Sequence, residues 1–240
     1  MDSQPRYEDP PPGSPGAWER LRARLELETV PCRVGGVELV IPQPRDPVAY
    51  IQARLERGEV QGDRLPYWTK LWPAALVLAQ SVAEMKLPRA PVLELGAGLG
   101  VPGLVAAARG RPVVLSDLDP EALEFARAAA ELSGLERRVE VRRLDWRRPP
   151  DHLEPFLTVL GAEILYQPEL YPALWDLLQR VVAPGGRVFL SLQERPFSVG
   201  FFARADGRFR LRGTRRRLRH GDQEVVVQLC LLERRGDTSS

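Results

Sequence analysis

A buried strand that runs straight into a cluster of glycines is the strongest constraint in this chain. PVLELGAGLGVPGL (91–104) opens as an apolar run over 91–95 and turns through Gly96, Gly98 and Gly100. It then resumes as helix-forming residues from about Val101 to Arg109. A strand, a glycine loop and a helix in that order belong to α/β sheets, where glycine lets a ligand approach the backbone closely.

The flanking pattern extends the same architecture. Pro73 to Met85 reads as an apolar helix with proline at its start. Apolar runs at 112–117, 138–144, 156–162 and 187–192 read as further strands. Between them, Asp119 and Pro120 open one helix and Gly134 closes it, and Glu169 to Val182 forms another, closed by APGG. Strands that alternate with helices imply a doubly wound, mostly parallel sheet. The chain ends differently, because 208–216 and 224–233 read as consecutive strands with no helix between them. The expected fold class is therefore α/β, a seven-stranded sheet finishing in an antiparallel hairpin. Ahead of the sheet, 17–28 reads as an amphipathic helix. Val30 to Ile41 reads as a hairpin around Gly35-Gly36, and 46–58 as a helix capped by Asp46 and Gly58.

The ligand of the glycine loop follows from the acids around it. Asp117 ends the second strand about 20 residues after Gly96, where a carboxylate can accept from both hydroxyls of a ribose. That suits a nicotinamide dinucleotide or S-adenosylmethionine. Glu94 sits two residues before Gly96. A carboxylate there repels a pyrophosphate and favours the ammonium and sulfonium of S-adenosylmethionine. The third glycine falls at Gly100, giving GxGxG, and no Lys-Ser/Thr pair follows, which excludes a phosphate-binding P-loop. Asp145 and Trp146 follow the third strand, where an acid can accept from the adenine amino group and an indole can stack on the ring. The bland alternatives are a loop carboxylate and a core tryptophan.

Composition excludes other chemistries. Two cysteines, Cys32 and Cys230, and two histidines, His152 and His220, cannot build a four-cysteine or three-histidine zinc centre, so no metal is expected. Nor do they make a disulfide scaffold, which fits a reducing, cytoplasmic setting. Both cysteines read as buried hydrophobes. The longest apolar stretch, Ala74 to Ala79, is far short of a membrane span, so no membrane partner is expected. Lys plus Arg (34) nearly balances Asp plus Glu (32), so no global field demands nucleic acid.

Taken together, the segments resemble class I, seven-strand methyltransferases. More narrowly they are similar to protein lysine methyltransferases that include enzymes acting on chaperones and on the electron transfer flavoprotein β subunit. PYWTKLWPAALVLAQ (66–80), VLELGAGLGVPGL (92–104) with SDLD (116–119), and GAEILYQPELY (161–171) carry the resemblance, which covers roughly 65–195. It implies S-adenosylmethionine as cofactor, S-adenosylhomocysteine as product and a protein partner as substrate. It implies that Trp72 lies against the methionine part and that Glu94, Gly96, Ala97, Gly98 and Gly100 form the cofactor loop. Asp117 takes the ribose, the adjacent Leu118 also contacts the cofactor, Asp145 and Trp146 flank the adenine, and Gly161 and Ala162 offer backbone near the methyl donor. Glu163 and Tyr166 then form the acid-x-x-Tyr pair facing the substrate amine, with Trp68 as an aromatic face for a cationic side chain. Tyr67 reads as core. The family's acid is usually Asp, and here Glu163 is one methylene longer.

The expected organisation is a disordered tail over 1–16, a helix and hairpin extension over 17–65, a methyltransferase domain over 66–234, and a second tail over 235–240. RFRLRGTRRRLRH (208–220) holds seven arginines. It reads either as a charged edge that blocks strand pairing or as an RNA-binding surface along Arg208–Arg219. The alternatives kept at this point are an RNA or small-molecule methyltransferase and a cofactor-binding protein without turnover.

Overall fold

Short β-branched and leucine-rich runs with apolar residues on both faces must be covered on both sides, and here they are. The computed structural model describes residues 14–60, 65–193, 198–204, 207–220 and 223–236. Its large sheet contains β3 (Val92–Leu95), β4 (Val113–Asp117), β5 (Val139–Arg143), β6 (Phe156–Ala162), β7 (Val182–Gln193), β8 (Phe209–His220) and β9 (Gln223–Arg234). Their order across the sheet is β5-β4-β3-β6-β7-β9-β8. The first five in that order run parallel, and β9 pairs antiparallel with both β7 and β8.

Alternation along β3 divides the interior into two cores. Val92 joins α3 (Pro73–Glu84), α4 (Val101–Ala108) and α5 (Pro120–Leu132) on one face. Leu93 and Leu95 join α6 (Tyr171–Val181) and the aromatic group of Trp175, Phe201 and Phe209 on the other. Phe201 belongs to the short α7 (Val199–Phe202). The N-terminal segment adds α1 (Ala17–Arg22), a hairpin of β1 (Leu27–Val34) and β2 (Val37–Pro44), and α2 (Pro47–Glu56). It does not stand apart: Leu21, Leu39 and Ile41 are buried in the same core as Phe125 and Ala129 of α5.

Several expectations hold closely. Asp46 caps α2 by accepting from the Val48 and Ala49 amides, and Asp119 caps α5 through Glu121 N–H. Cys32 and Cys230 are free and buried. Others shift. The helix expected over 17–28 ends at Arg22, and β1 takes over from Leu27 because Leu27 to Val34 finds a partner along β2. The helix ahead of APGG ends at Val181, close to its expected end, but the strand expected from 187 starts earlier. APGG lies inside β7, which begins at Val182, and Gly186 packs against the backbone carbonyls of Ala183 and Phe156. The tail expected over 1–16 falls outside the described residues up to position 13, while Gly16 caps α1. At the other end, 237–240 also lie outside them.

Strand order reverses direction between β3 and β6, which leave a crevice at their carboxyl ends. Such switch points are where open α/β sheets bind ligands. The glycine loop follows β3 and Glu163 follows β6, so the topology alone brings the two motifs together.

Candidate active site

A cavity of about 570 Å³ opens at this switch point. At its base Gly96 (φ 57°) and Gly98 (φ 53°) are in the left-handed region that favours glycine. A Cβ added at Gly96 would come 2.8 Å from Ile164, and one at Gly98 would come 3.1 Å from Trp68. Both turns therefore press against the walls of the site. Ala97 and Gly100 complete the loop on the cavity surface.

One buried and one half-buried carboxylate underlie the loop. Glu94 is 1% exposed, the one acid in a strand otherwise apolar, and accepts from Gly103 N–H at 2.7 Å. Burial pushes its pKa up to about 8, with the Asp117 charge adding to the rise and the Gly103 bond opposing it. Asp117 accepts from Gly98 N–H at 2.9 Å and from Asp119 N–H at 3.0 Å. Burial raises it to about 6 against those bonds. A carboxylate has about four lone-pair sites, so each of these acids keeps acceptor capacity for a donor in the cavity.

The other cofactor candidates are distributed around the same space. Leu118, Asp145, Trp146 and Ala162 line it. Asp145 accepts from Arg147 N–H at 2.9 Å, and the Trp146 ring lies over Gly96. Trp72 also lines it, with its indole N–H on the Tyr67 carbonyl at 2.8 Å. Gly161 does not line the cavity. It sits beneath Ile164, whose Cδ1 would be 2.5 Å from an added Cβ.

At the opposite wall Glu163 adopts φ 56°, the one left-handed non-glycine conformation among the described residues. Its N–H donates to the Ser191 carbonyl at 2.7 Å, and its Oε1 accepts from Gln193 N–H at 2.8 Å. The adjacent strand β7 thus holds both the backbone and the carboxylate of Glu163. A β-carbon in this conformation costs on the order of 1–2 kcal/mol, and such strain concentrates at functional sites. Tyr166 is 38% exposed beside it.

The aromatic residues exchange the places expected of them. Tyr67, read as core, is 44% exposed and meets Tyr166 edge-on at 5.6 Å and Trp72 at 6.4 Å. Trp68, read as a substrate face, instead donates its indole N–H to Asp119 at 2.9 Å and packs on Phe125 at 4.9 Å. It lies at the Asp119 end of the cavity rather than the Glu163 end. Trp68 packs inward because Asp119 offers its indole an acceptor, which no local pattern reveals.

Residues that sequence reasoning missed complete the walls. Arg54 of α2 is buried, donates to Asp119 at 2.9 Å and lies 3.4 Å from Glu59. Burial opposes its charge, but the Asp119 bond prevails and its pKa is raised. Lys70 holds its ammonium 5.2 Å from the Trp72 ring centroid. The spacing of Arg54 from the glycine loop carries no local signal. Lys70, inside the aromatic-Trp-Pro segment, was findable as one of only two lysines.

Strand order and switch-point cavity define a Rossmann-like α/β site, and the SAM-dependent methyltransferase from Agrobacterium tumefaciens shares this fold. It superposes with a TM-score of 0.58 at 18% identity, over 86% of this chain and 70% of that one. The chain belongs to the lysine methyltransferase family, whose model matches residues 63–209. Protein N-lysine methyltransferase METTL21A of Danio rerio is 36% identical over 140 residues, 55% of this chain and 63% of the relative. Histone-arginine methyltransferase METTL23 of Mus musculus is 34% identical over 130 residues, covering 51% of each chain. The chain spans between half and two thirds of the length of these curated relatives. Among the described residues no group of three His, Cys, Asp or Glu side chains could hold a metal, and no helix is long and apolar enough to cross a membrane.

Proposed function

We propose that this protein is an S-adenosylmethionine-dependent methyltransferase that N-methylates a lysine side chain of a cytoplasmic protein. The observation that carries the reading is the meeting, in one cavity, of the Glu94–Asp117 loop with the strained Glu163 and Tyr166. Residues 66–234 form the catalytic domain in this reading, and 17–65 an extension that contributes Arg54 to the wall.

The residues present fit the cofactor. Left-handed glycines keep the loop free of side chains, Asp117 retains acceptor sites for ribose hydroxyls, and Glu94 is a buried acid for an ammonium. Asp145 and Trp146 would flank the adenine, Leu118 would line the pocket beside Asp117, and Trp72 and Ala162 would flank the methionine end. Bound S-adenosylmethionine supplies an electrophilic methyl group on a sulfonium.

The protein then orients an amine. A lysine has a reference pKa of about 10.4 and must lose its proton to solvent before it attacks. Withdrawal from water among Tyr67, Trp72 and Tyr166 lowers that pKa. The same rings suit a cationic side chain on arrival. Glu163, fixed by Gln193 N–H, accepts a hydrogen bond from the amine and aligns its lone pair. Alignment of this kind is worth on the order of 7–11 kcal/mol, so no strong base is required.

The test is transfer of a labelled methyl group into lysate from a strain lacking this protein, split into protein, RNA and small-molecule fractions. Label in a protein band that maps to lysine, and that disappears with Glu163→Gln, is the expected result. Label on arginine, in RNA or in small molecules would overturn the substrate assignment.

A further inference from the structure

The last two strands are built unlike the rest of the sheet. Among the described residues β8 is an edge strand that pairs with β9 alone, and every residue from Arg210 to Arg217 is exposed. Its base is anchored by Phe209, stacked on Trp175 at 5.3 Å. Its far end is long. Gln193, the last residue of β7, pairs with Val227, and Val227 pairs with Arg216. The hairpin then continues through Arg217↔Val226, Leu218↔Val225 and Arg219↔Glu224, past the end of β7. It therefore overhangs the carboxyl edge of the sheet, where Gln193 N–H holds Glu163.

Charge and backbone point to one kind of occupant. Seven arginines lie between Arg208 and Arg219, while β9 carries two glutamates, Glu224 and Glu233. Two ion pairs across the hairpin, Arg217–Glu224 at 3.2 Å and Arg212–Glu233 at 3.8 Å, use exposed arginines, and surface pairs of this kind are weak. An edge strand presents a row of N–H and C=O groups that templates another strand. A second copy of this edge is repelled by its own arginines, whereas an acidic extended segment matches both the backbone row and the charge.

Resting on the methyltransferase reading above, we propose that the β8–β9 hairpin docks an acidic, extended segment of the substrate protein beside the methylated lysine. A strand added outside β8 lies four strand spacings from β6, about 19 Å at roughly 4.8 Å each. Extended chain rises about 3.3 Å per residue. The acidic residues thus lie about six positions from the lysine.

The experiment uses a fluorescein-labelled peptide with one lysine and glutamates about six positions away, its Ser/Gly counterpart, and a single-stranded RNA oligonucleotide. Anisotropy titrations are run on the full chain saturated with S-adenosylhomocysteine. The acidic peptide should bind at least tenfold more tightly than the neutral one and weaken with salt. Charge reversal by Arg215→Glu, Arg216→Glu and Arg217→Glu together should remove that preference. The milder Arg→Gln set should reduce it, with melting curves and S-adenosylhomocysteine affinity unchanged for both. Equal binding of the two peptides, or a preference that survives charge reversal, would overturn the proposal. So would tighter binding of the RNA, which would make the hairpin a phosphate-binding surface. Loss of S-adenosylhomocysteine binding by the unmodified chain would instead sink the cofactor reading, a separate result.

Discussion

The two ends of the cavity are built on opposite principles. At the glycine-loop end, Glu94 is buried and Asp117 half-buried, and their carboxylates are held by backbone N–H groups of Gly98, Asp119 and Gly103. At the other end, Tyr67 and Tyr166 are over a third exposed, and the acid sits on a strained backbone. In the proposed reading the first end receives the cofactor. The second receives the protein substrate, and it holds its acid in place at a conformational cost. Binding and turnover should therefore respond to different residues.

The largest effect is expected at Asp117. Two charge-assisted hydrogen bonds are worth about 1.5–3 kcal/mol each, so Asp117→Ala should weaken S-adenosylhomocysteine binding about 10²- to 10⁴-fold by calorimetry. Asp117→Asn keeps an acceptor for Gly98 N–H and should lose less. Unchanged affinity in both variants would remove the ribose assignment.

Glu163 should show the reverse profile. Glu163→Gln should leave cofactor affinity intact and lower turnover about 10- to 100-fold, the worth of one hydrogen bond to a charged group. Glu163→Gly separates function from strain. Glycine accepts φ 56° without penalty, so this variant should melt a few degrees higher, about 2–4 °C per kcal/mol for a chain of this size, while turnover falls. A lower melting temperature would mean that the Gln193 N–H bond, not strain, dominates there.

These expectations also show how much of the molecule could be read from its sequence. Elements governed by local rules were readable: the 156–162 strand matches its expected bounds, and Asp46 and Asp119 cap the helices they precede. Elements decided by distant partners were not. Val182 joins the strand because it pairs with Phe156 of β6, and Ala183 to Gly186 fill the register shift before Arg187 pairs with Thr158. The position of β9 between β7 and β8 depends on which edge remains open, information that no window of residues contains. In the site, the glycine loop and its acids follow from spacing. The exchange of Tyr67 and Trp68 depends on Asp119 being in reach of one ring, and the role of Arg54 depends on α2 folding back over α5.

The two acids make the glycine-loop end sensitive to pH. A free glutamate titrates near 4.3, and Glu94 in the fold near 8. Between those values the folded chain retains a proton that the unfolded chain has lost. The contribution of Glu94 to stability is therefore complete below about pH 4 and is lost as pH rises toward about 8. A cation bound beside Glu94 favours the ionised form. S-adenosylhomocysteine, which carries the ammonium, should thus bind more tightly at pH 8 than at pH 6 and release protons. Glu94→Gln should flatten that dependence, and a persistent slope would assign it to Asp117, which titrates near 6.

The smallest effect addresses the division itself, because Trp68 is the residue whose end of the cavity changed between sequence and structure. Its indole N–H donates to Asp119, the same carboxylate that accepts from Arg54 and caps α5. Trp68→Phe removes that donor and keeps a ring against Phe125 and Tyr50. That bond to a carboxylate is worth about 1.5–3 kcal/mol to the fold, and because it lies within the protein only part of it reaches the ligand, a change of roughly two- to tenfold. If Trp68 serves the ribose end, that change should fall on S-adenosylhomocysteine affinity, with the KM for the protein substrate unmoved. Tyr67→Ala should do the opposite, because Tyr67 touches Tyr166 and Trp72 but none of the ribose-end acids. If Trp68→Phe instead raised the substrate KM and left the cofactor affinity alone, the two ends would share a wall. The cavity would then need to be described as one continuous surface in which Asp119 transmits cofactor binding to the substrate side.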